Sequence, residues 1–292
     1  MNASLTEGAW TIRRVLGWAT EDFRRRGVDS ARLDAEVLLA HALGTDRIRL
    51  IVDADRLLSP AELGSYRELI KRRRAGEPVA YLIGRREFYG FELRVDQRVL
   101  IPRPDSEALV EVALERTRRW SMYGRALDLC TGSGCVAIAI ARHRPTWRIT
   151  GVDLSKLALA LATENALRLG AVWGVRWLAG DLFAPLAKEE RFELICANPP
   201  YVPSAEVDAL ERTIRDFEPR LALDGGPDGL EVIRCIVEQA LPRLTAEGVL
   251  ALEVAAGQSS SVAELFESAG LVDIERKRDY GGHERVVSGR SA

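Results

Sequence analysis

The sequence is poor in the residues that carry most metal and nucleophilic chemistry. It holds 3 histidines and 4 cysteines in 292 residues. Cys130, Cys135, Cys196 and Cys235 sit in or beside apolar segments and lack the paired spacing of a zinc site. His41, His143 and His283 cannot complete a His-rich one, so no metal is expected. That cysteine usage fits buried, reduced thiols in a cytoplasmic protein. No Gly-x-Ser-x-Gly elbow is present, which argues against a serine hydrolase of that type. No apolar run approaches a membrane-spanning helix, and residues 135–141 are too few. Residues 1–7 lack the basic and apolar regions of a signal peptide. A net charge of -2 gives no support for strong, sequence-independent nucleic-acid binding. There is no internal repeat and no low-complexity segment. What remains is an ordinary globular composition, 47% hydrophobic and 29% charged, at a length that suggests two domains.

The first part reads as helical. Ile12, Val15, Leu16, Ala19 and Phe23 recur at helical spacing, and Gly27 is placed to end that helix. Leu33, Val37, Leu38 and Leu43 mark a second helix, capped near Asp29 or Ser30 and closed by Gly44. Ser59-Pro60-Ala61-Glu62 is a helix start with an N-cap hydroxyl, proline at the first position and a capping-box glutamate. That helix runs into Lys71-Arg72-Arg73-Arg74, which reads as a solvated face near a helix C-terminus or as a docking patch. Residues 87–95 alternate around Gly90 and suggest a hairpin connector, and a helix starts near Asp105 or Ser106. From Arg125 onward strands and helices alternate, the signature of a doubly wound α/β sheet. Its strands are read at 126–129, 148–152, 175–178, 192–197 and 249–254, followed by a terminal antiparallel pair at 271–277 and 284–287. The domain boundaries expected are 1–80 for the helical part, 81–104 for the connector and 105–292 for the α/β part.

The most telling feature is Asn198-Pro199-Pro200-Tyr201, directly after the apolar strand 192–197. Neither proline has an N–H to give a sheet ladder, so the strand must stop and a stiff turn must follow. The turn sets an amide side chain, nearly fixed carbonyls and an aromatic ring at a strand's C-terminal end, where open α/β sheets bind ligands. An uncharged, acceptor-rich turn of this kind suits the holding of a planar NH2 group. The Asn198 side-chain oxygen and the Pro199 carbonyl are placed to accept its two N–H bonds, and Tyr201 to pack against the flat substrate group.

Two further strand ends carry ligand chemistry. The loop Cys130-Thr131-Gly132-Ser133-Gly134 follows the first strand and opens a helix at Cys135, where glycines allow close approach and free N–H groups meet an anion. That anion is a dinucleotide pyrophosphate or the carboxylate of an amino-acid cofactor. Asp153 ends the second strand about 20 residues later, where a carboxylate accepts ribose hydroxyls, as NAD and S-adenosylmethionine both require. Asp181 ends the third strand within reach of an adenine amino group. A rigid amide clamp is of no use to hydride transfer, whereas an amino-group methyltransferase needs one. With an already activated methyl donor the protein mainly supplies alignment, worth up to roughly 7–11 kcal/mol in well-oriented systems.

With these features on the page, the chain resembles the release-factor glutamine methyltransferases, the PrmC/HemK family. The matching stretches are Phe88-Tyr89-Gly90-Phe91, residues 101–107 (Ile-Pro-Arg-Pro-Asp-Ser-Glu), the glycine loop with Cys135, Asp153, Asn198-Pro199-Pro200-Tyr201, Glu218-Pro219, Gly225-Gly226 with Asp228-Gly229-Leu230, and Asp279-Tyr280-Gly281 with Arg285. The resemblance covers nearly the whole chain. It implies a seven-stranded class I methyltransferase domain of Rossmann-like fold behind a small helical domain. It implies methyl transfer from S-adenosylmethionine, leaving S-adenosylhomocysteine, to the side-chain amide of the Gly-Gly-Gln glutamine of peptide chain release factors. By the same resemblance Cys130, Thr131, Gly132, Ser133 and Gly134 hold the cofactor's amino-acid part, Asp153 its ribose, and Asp181 with Leu182 its adenine. Asn198, Pro199, Pro200 and Tyr201 clamp the glutamine, and the N-terminal helices recognise the release factor.

Cys130 stands where the family usually has glycine, so a somewhat different loop backbone is expected there. Leu182 stands where some members carry tryptophan, which removes aromatic packing near the adenine. A monomer acting in the cytoplasm is expected, without direct nucleic-acid or membrane partners. The alternatives are a ribosomal-protein glutamine methyltransferase, a nucleic-acid adenine N6-methyltransferase, and a noncatalytic module that binds release factors or ribosomes.

Overall fold

A computed structural model describes residues 10–120, 122–279 and 281–292. Residues 1–7, read above for targeting signals, and Tyr280 of the terminal motif lie outside the described residues. The chain divides into two compact units. One runs to Gly84 and includes Arg212–Phe217; the other comprises Arg85–Glu211 and Glu218–Ala292.

The first unit is helical. Its α1 (Ile12–Arg25) buries Ile12, Val15, Leu16, Ala19 and Phe23, the stripe that the helical spacing selects, and Thr11 caps it by accepting from the Arg14 amide. α2 (Ala31–Ala42) follows Ser30. α3 (Arg47–Val52) went unread, because Leu50 is its one buried residue and a single apolar position shows no period. α4 (Pro60–Arg74) starts with the complete capping box: Ser59 Oγ accepts from the Glu62 amide, and Glu62 Oε2 accepts from the Ser59 amide at 2.7 Å. α5 (Val79–Ile83) closes the series. The basic run of α4 is neither a bare solvated face nor an open patch. Arg72 pairs with Glu77 at 2.8 Å, Arg73 with Asp34 at 2.8 Å and Arg74 with Asp22 at 2.7 Å, so these arginines staple the last turn of α4 to acids of the same unit.

The second unit opens with a hairpin of β1 (Arg85–Phe88) and β2 (Phe91–Arg94), with Phe88 opposite Phe91. Tyr89 and Gly90, at φ 50° and 75°, supply the two left-handed residues that such a tight turn demands. Then come α6 (Glu107–Arg116), β3 (Arg125–Leu129), α7 (Cys135–His143), β4 (Arg148–Asp153), α8 (Lys156–Arg168), β5 (Val175–Ala179) and β6 (Phe192–Ala197). The short turns α9 (Ser204–Val207) and α10 (Arg212–Arg215), the latter counted with the helical unit, precede α11 (Glu231–Ala240), β7 (Leu244–Glu253), α12 (Ser259–Ser268), β8 (Val272–Arg278) and β9 (Glu284–Arg290).

The sheet has 7 strands in the order β5-β4-β3-β6-β7-β9-β8. The strands from β5 to β7 are parallel, β9 runs antiparallel to β7, and β8 pairs antiparallel with β9. Side chains alternate between two cores, as the period of two requires. Ala126, Ile149, Leu194 and Val249 pack with α6 and α7 on one face, while Leu127, Val152, Ile195 and Leu250 pack with α11 and α12 on the other. Burial on both faces explains why these strands read as continuous apolar runs. This is a doubly wound α/β sheet with an antiparallel end, and the helical unit precedes it in the chain. No helix among the described residues is long and apolar enough to cross a membrane.

The Arg73–Asp34 pair is distinct from the other staples, with side-chain exposures of 12% and 7%. Asp34→Ala leaves Arg73 only the Glu77 carbonyl at 3.3 Å. We expect a loss of about 3 kcal/mol in denaturant unfolding. Asp22→Ala, whose partner Arg74 is more exposed, should cost about 1 kcal/mol or less.

Candidate active site

The parallel register assembles the cleft. Leu129 pairs with both Val152 and Ala197, and Ala197 pairs in turn with Leu252. The residues one step further along these strands, Asp153, Cys130, Asn198 and Glu253, therefore emerge side by side at the C-terminal edge. β3 and β6 are neighbours there although the chain winds away from β3 in both directions, which makes this the topological switch point of the sheet.

The glycine loop is bound inward as well as open outward. The Gly132 amide donates to Asp153 Oδ2 at 2.8 Å, and the Ser155 amide to Asp153 Oδ1 at 2.8 Å. Asp128 accepts from the Thr131 hydroxyl and from the Ala137 amide, the latter at 3.2 Å. Two of the amides that the sequence offers to an anion are thus held by the protein's own carboxylates. Burial pushes Asp128 up to about 7 against these hydrogen bonds, and raises Asp153 in the same way. Asn165, fully buried in α8, donates to the Ser133 carbonyl at 3.0 Å and brackets Arg94 of β2 through both backbone groups, tying the hairpin to the loop. Cys130 has φ 55°. That is the left-handed conformation a glycine adopts freely, so the cysteine carries strain of about 1–2 kcal/mol there. Gly134, at φ 79°, lies under Trp177, whose ring would sit 2.8 Å from an added Cβ.

The 198–201 turn is gripped from several sides. Asn198 Nδ2 donates to Ser106 Oγ at 3.1 Å. The Tyr201 hydroxyl donates to Glu253 Oε1 at 3.2 Å, and Gln258 Nε2 donates to the Tyr201 carbonyl at 3.1 Å. Val202 pairs with the 223–225 segment through 2.9 Å and 2.8 Å backbone bonds. Nearby, Glu218 accepts from the Ile101 amide at 3.0 Å and from Arg103, which anchors the strap at 100–103. Burial pushes Glu253 up to about 7.

A cavity of about 190 Å³ occupies this edge. Cys130, Thr131, Gly132, Ser133, Asp153, Asp181, Leu182, Asn198 and Pro200 line it, together with Asp128, Ser106, the 98–102 strap and the 219–222 segment. Three residues named from the sequence stand behind its wall. Gly134 packs under Trp177, Pro199 is buried, and Tyr201 turns toward Glu253. Asp128, Ser106, Asn165, Glu253 and Gln258 were given no site role from the sequence, Ser106 being read only as a helix start within a matching stretch. For Asp128 and Glu253 the signal was there, since each is a lone acid inside an apolar strand, and a buried charge is the informative exception. No cluster of three or more His, Cys, Asp or Glu placed to hold a metal occurs among the described residues.

Comparison with known proteins agrees with this architecture. The PrmC N-terminal domain matches residues 14–84, and the methyltransferase small domain matches residues 104–226. A release factor glutamine methyltransferase of Geobacter sulfurreducens is 44% identical over 281 residues, covering 96% of this chain and 97% of that one. One from Rhodopirellula baltica is 42% identical over 294 residues, covering 97% of each. A 16S rRNA methyltransferase of T. thermophilus, solved with AdoMet and guanosine, shares the fold at TM-score 0.51 and 21% identity, covering 71% of this chain and 50% of that one.

The turn has no room to move. A Cβ on Gly225 would lie 2.7 Å from the Pro200 carbonyl oxygen and 2.8 Å from Tyr201 Cα. Gly225→Ala should therefore destabilise the protein by about 1–3 kcal/mol, seen as a lower thermal midpoint. Cofactor binding by calorimetry should weaken with it, because Pro200 and Asn198 line the cavity that the displaced turn would reshape.

Proposed function

The chain belongs to the release factor glutamine methyltransferase family, and we propose that its 198–201 turn clamps the substrate glutamine beside S-adenosylmethionine seated over the glycine loop. The enzyme transfers a methyl group from S-adenosylmethionine to the side-chain amide nitrogen of a release-factor glutamine, that of the Gly-Gly-Gln motif.

The cavity residues fit this cofactor. Asp153 carries a carboxylate at the edge of the loop, suited to a ribose diol, although its oxygens already take the Gly132 and Ser155 amides. Asp128 and Asp181 add acid character suited to a cationic ligand. Leu182 offers an apolar wall to an adenine. S-adenosylmethionine supplies an activated methyl group, so the protein needs to bind and align more than to activate.

One observation carries the substrate assignment. Asn198 gives its NH2 to Ser106, so its Oδ1 is the group left for the cleft. An acceptor there suits one N–H of a primary amide; the Pro199 carbonyl, assigned the second N–H, belongs to a residue buried behind the cavity wall and would have to reach the amide from the backbone of the turn. Two such bonds orient the amide nitrogen toward the methyl donor and favour loss of its conjugation as the new bond forms. Tyr201 supports the turn from behind. The helical unit is assigned to release-factor recognition. Every residue lining the cavity belongs to one unit, and action as a monomer is part of the same reading. A translation factor as substrate supports action in the cytoplasm.

The test is incubation with labelled S-adenosylmethionine and a release factor. Label should appear on the Gly-Gly-Gln glutamine. Asn198→Ala should reduce transfer by about 100-fold or more, as loss of orientation does, while the fold is retained. Label on a ribosomal protein or on nucleic-acid adenine, with none on the release factor, would overturn the reading.

A further inference from the structure

We propose that Glu218 is a positioning residue for cofactor binding, joining two walls of the cavity by setting one carboxylate oxygen against each of two donors on the 98–103 strap. The inference rests on the reading that this cavity seats S-adenosylmethionine.

The strap lines the cavity through residues 98–100 and Pro102, and a second segment lines it through Pro219, Leu221 and Ala222. Glu218 stands directly before that second wall, with its side chain 1% exposed. Its Oε2 accepts from the Ile101 amide at 3.0 Å, across 117 residues of sequence. Its Oε1 accepts from Arg103 Nη2. Ile101 and Arg103 flank Pro102, so the two bonds hold the strap on both sides of a residue that lines the cavity.

Each wall also has an anchor of its own. Arg98 bonds Asp96 at 2.8 Å and Glu164 of α8 at 3.2 Å, which fixes the other end of the strap. The 219–222 segment leads into Leu223, whose carbonyl accepts from the Val202 amide at 2.9 Å. Glu218 ties one anchored wall to the other. The residue type matters, because both donors need an acceptor and a carboxylate supplies two. Glutamine has one acceptor oxygen and an NH2, so in Glu218→Gln one of the two bonds must break although the side-chain volume hardly changes.

A wall already in place when the cofactor arrives need not be ordered by it, and pre-organisation of that kind appears as affinity. The amide turn is held separately. Asn198 and Tyr201 have their own partners in Ser106, buried at the start of α6, and Gln258. Loosening the strap should therefore weaken cofactor binding and leave methyl transfer by the loaded enzyme nearly unchanged.

The experiment compares wild type, Glu218→Gln, Arg103→Ala and Asp34→Ala, the last a control that loses a buried ion pair of the helical unit. It measures S-adenosylmethionine affinity by calorimetry, hydrogen exchange at residues 99–103 in the cofactor-free protein, kcat on an intact release factor at saturating cofactor, and thermal midpoint. Glu218→Gln should raise the cofactor Kd by about 10-fold or more with kcat within about threefold. Exchange at residues 99–103 should quicken in the same variant without any ligand, as local opening becomes more frequent. Asp34→Ala should lower the midpoint but keep cofactor affinity and strap exchange within about twofold of wild type, as expected of a distant site. Wild-type affinity and wild-type strap exchange in Glu218→Gln would overturn the proposal. An equal loss of affinity in Asp34→Ala would also overturn it, since lost stability would then account for the effect. If Glu218→Gln does not fold, Arg103→Ala decides, because Arg103 is 32% exposed and water can replace it: unchanged affinity and strap exchange there refute the joint. Failure of wild type to bind S-adenosylmethionine would instead overturn the functional reading, and strap exchange would still decide whether Glu218 holds the walls.

Discussion

The registered pairing of β3 with β6 is the constraint on which the rest of this structure depends. It sets Leu129 beside Ala197, so the glycine loop and the proline turn leave the sheet at the same level, one strand apart. This register brings the two segments together with backbone hydrogen bonds alone. A slip of one residue would turn Asn198 to the opposite face and exchange the two cores beneath it. The continuous apolar character of both strands makes such a slip costly, because each face is filled by different helices.

On that frame the cleft is stiffened by buried polar groups more than by apolar contacts. Asp153 holds the amides of Gly132 and Ser155, Asp128 holds Thr131 and Ala137, and Asn165 holds Ser133. Each anchor spends a charge or an amide in a place where burial works against it, and the upward push on Asp128 and Glu253 is the physical mark of that opposition. The arrangement resists movement because losing any one bond leaves an unpaired buried group. A loop with left-handed backbone at Cys130, Gly132 and Gly134 would not stay in shape without such anchors.

Much of this was legible beforehand, and the reasons are local. The capping box at Ser59 and Glu62, the α1 stripe from Ile12 to Phe23 and the turn at Tyr89 and Gly90 depend on neighbours within a few residues, so sequence spacing reveals them. Asn198 was legible because two prolines force the strand to end whatever surrounds it. Other features were hidden by distance. Ser106 is 92 residues from Asn198, and Glu253 is 52 from Tyr201. The arginines of α4 look like a free patch until α1 and α2 bring Asp22 and Asp34 to them.

The sequence by itself pointed to the class of chemistry: a turn read as suited to an amide, a glycine loop and an acid read as suited to a ribose, each at a strand end, in a chain with too few histidines for the common alternatives. Those signals survive because they are written in residue types whose backbone demands are absolute. The tertiary structure decided how the groups are aimed. It turned the Asn198 NH2 toward Ser106, set Tyr201 behind the wall instead of in the cleft, and occupied a loop amide and a first-turn amide of α7 with Asp153 and Asp128. Aim depends on which side chains meet across the sheet, and that follows only once register and packing have brought distant residues together.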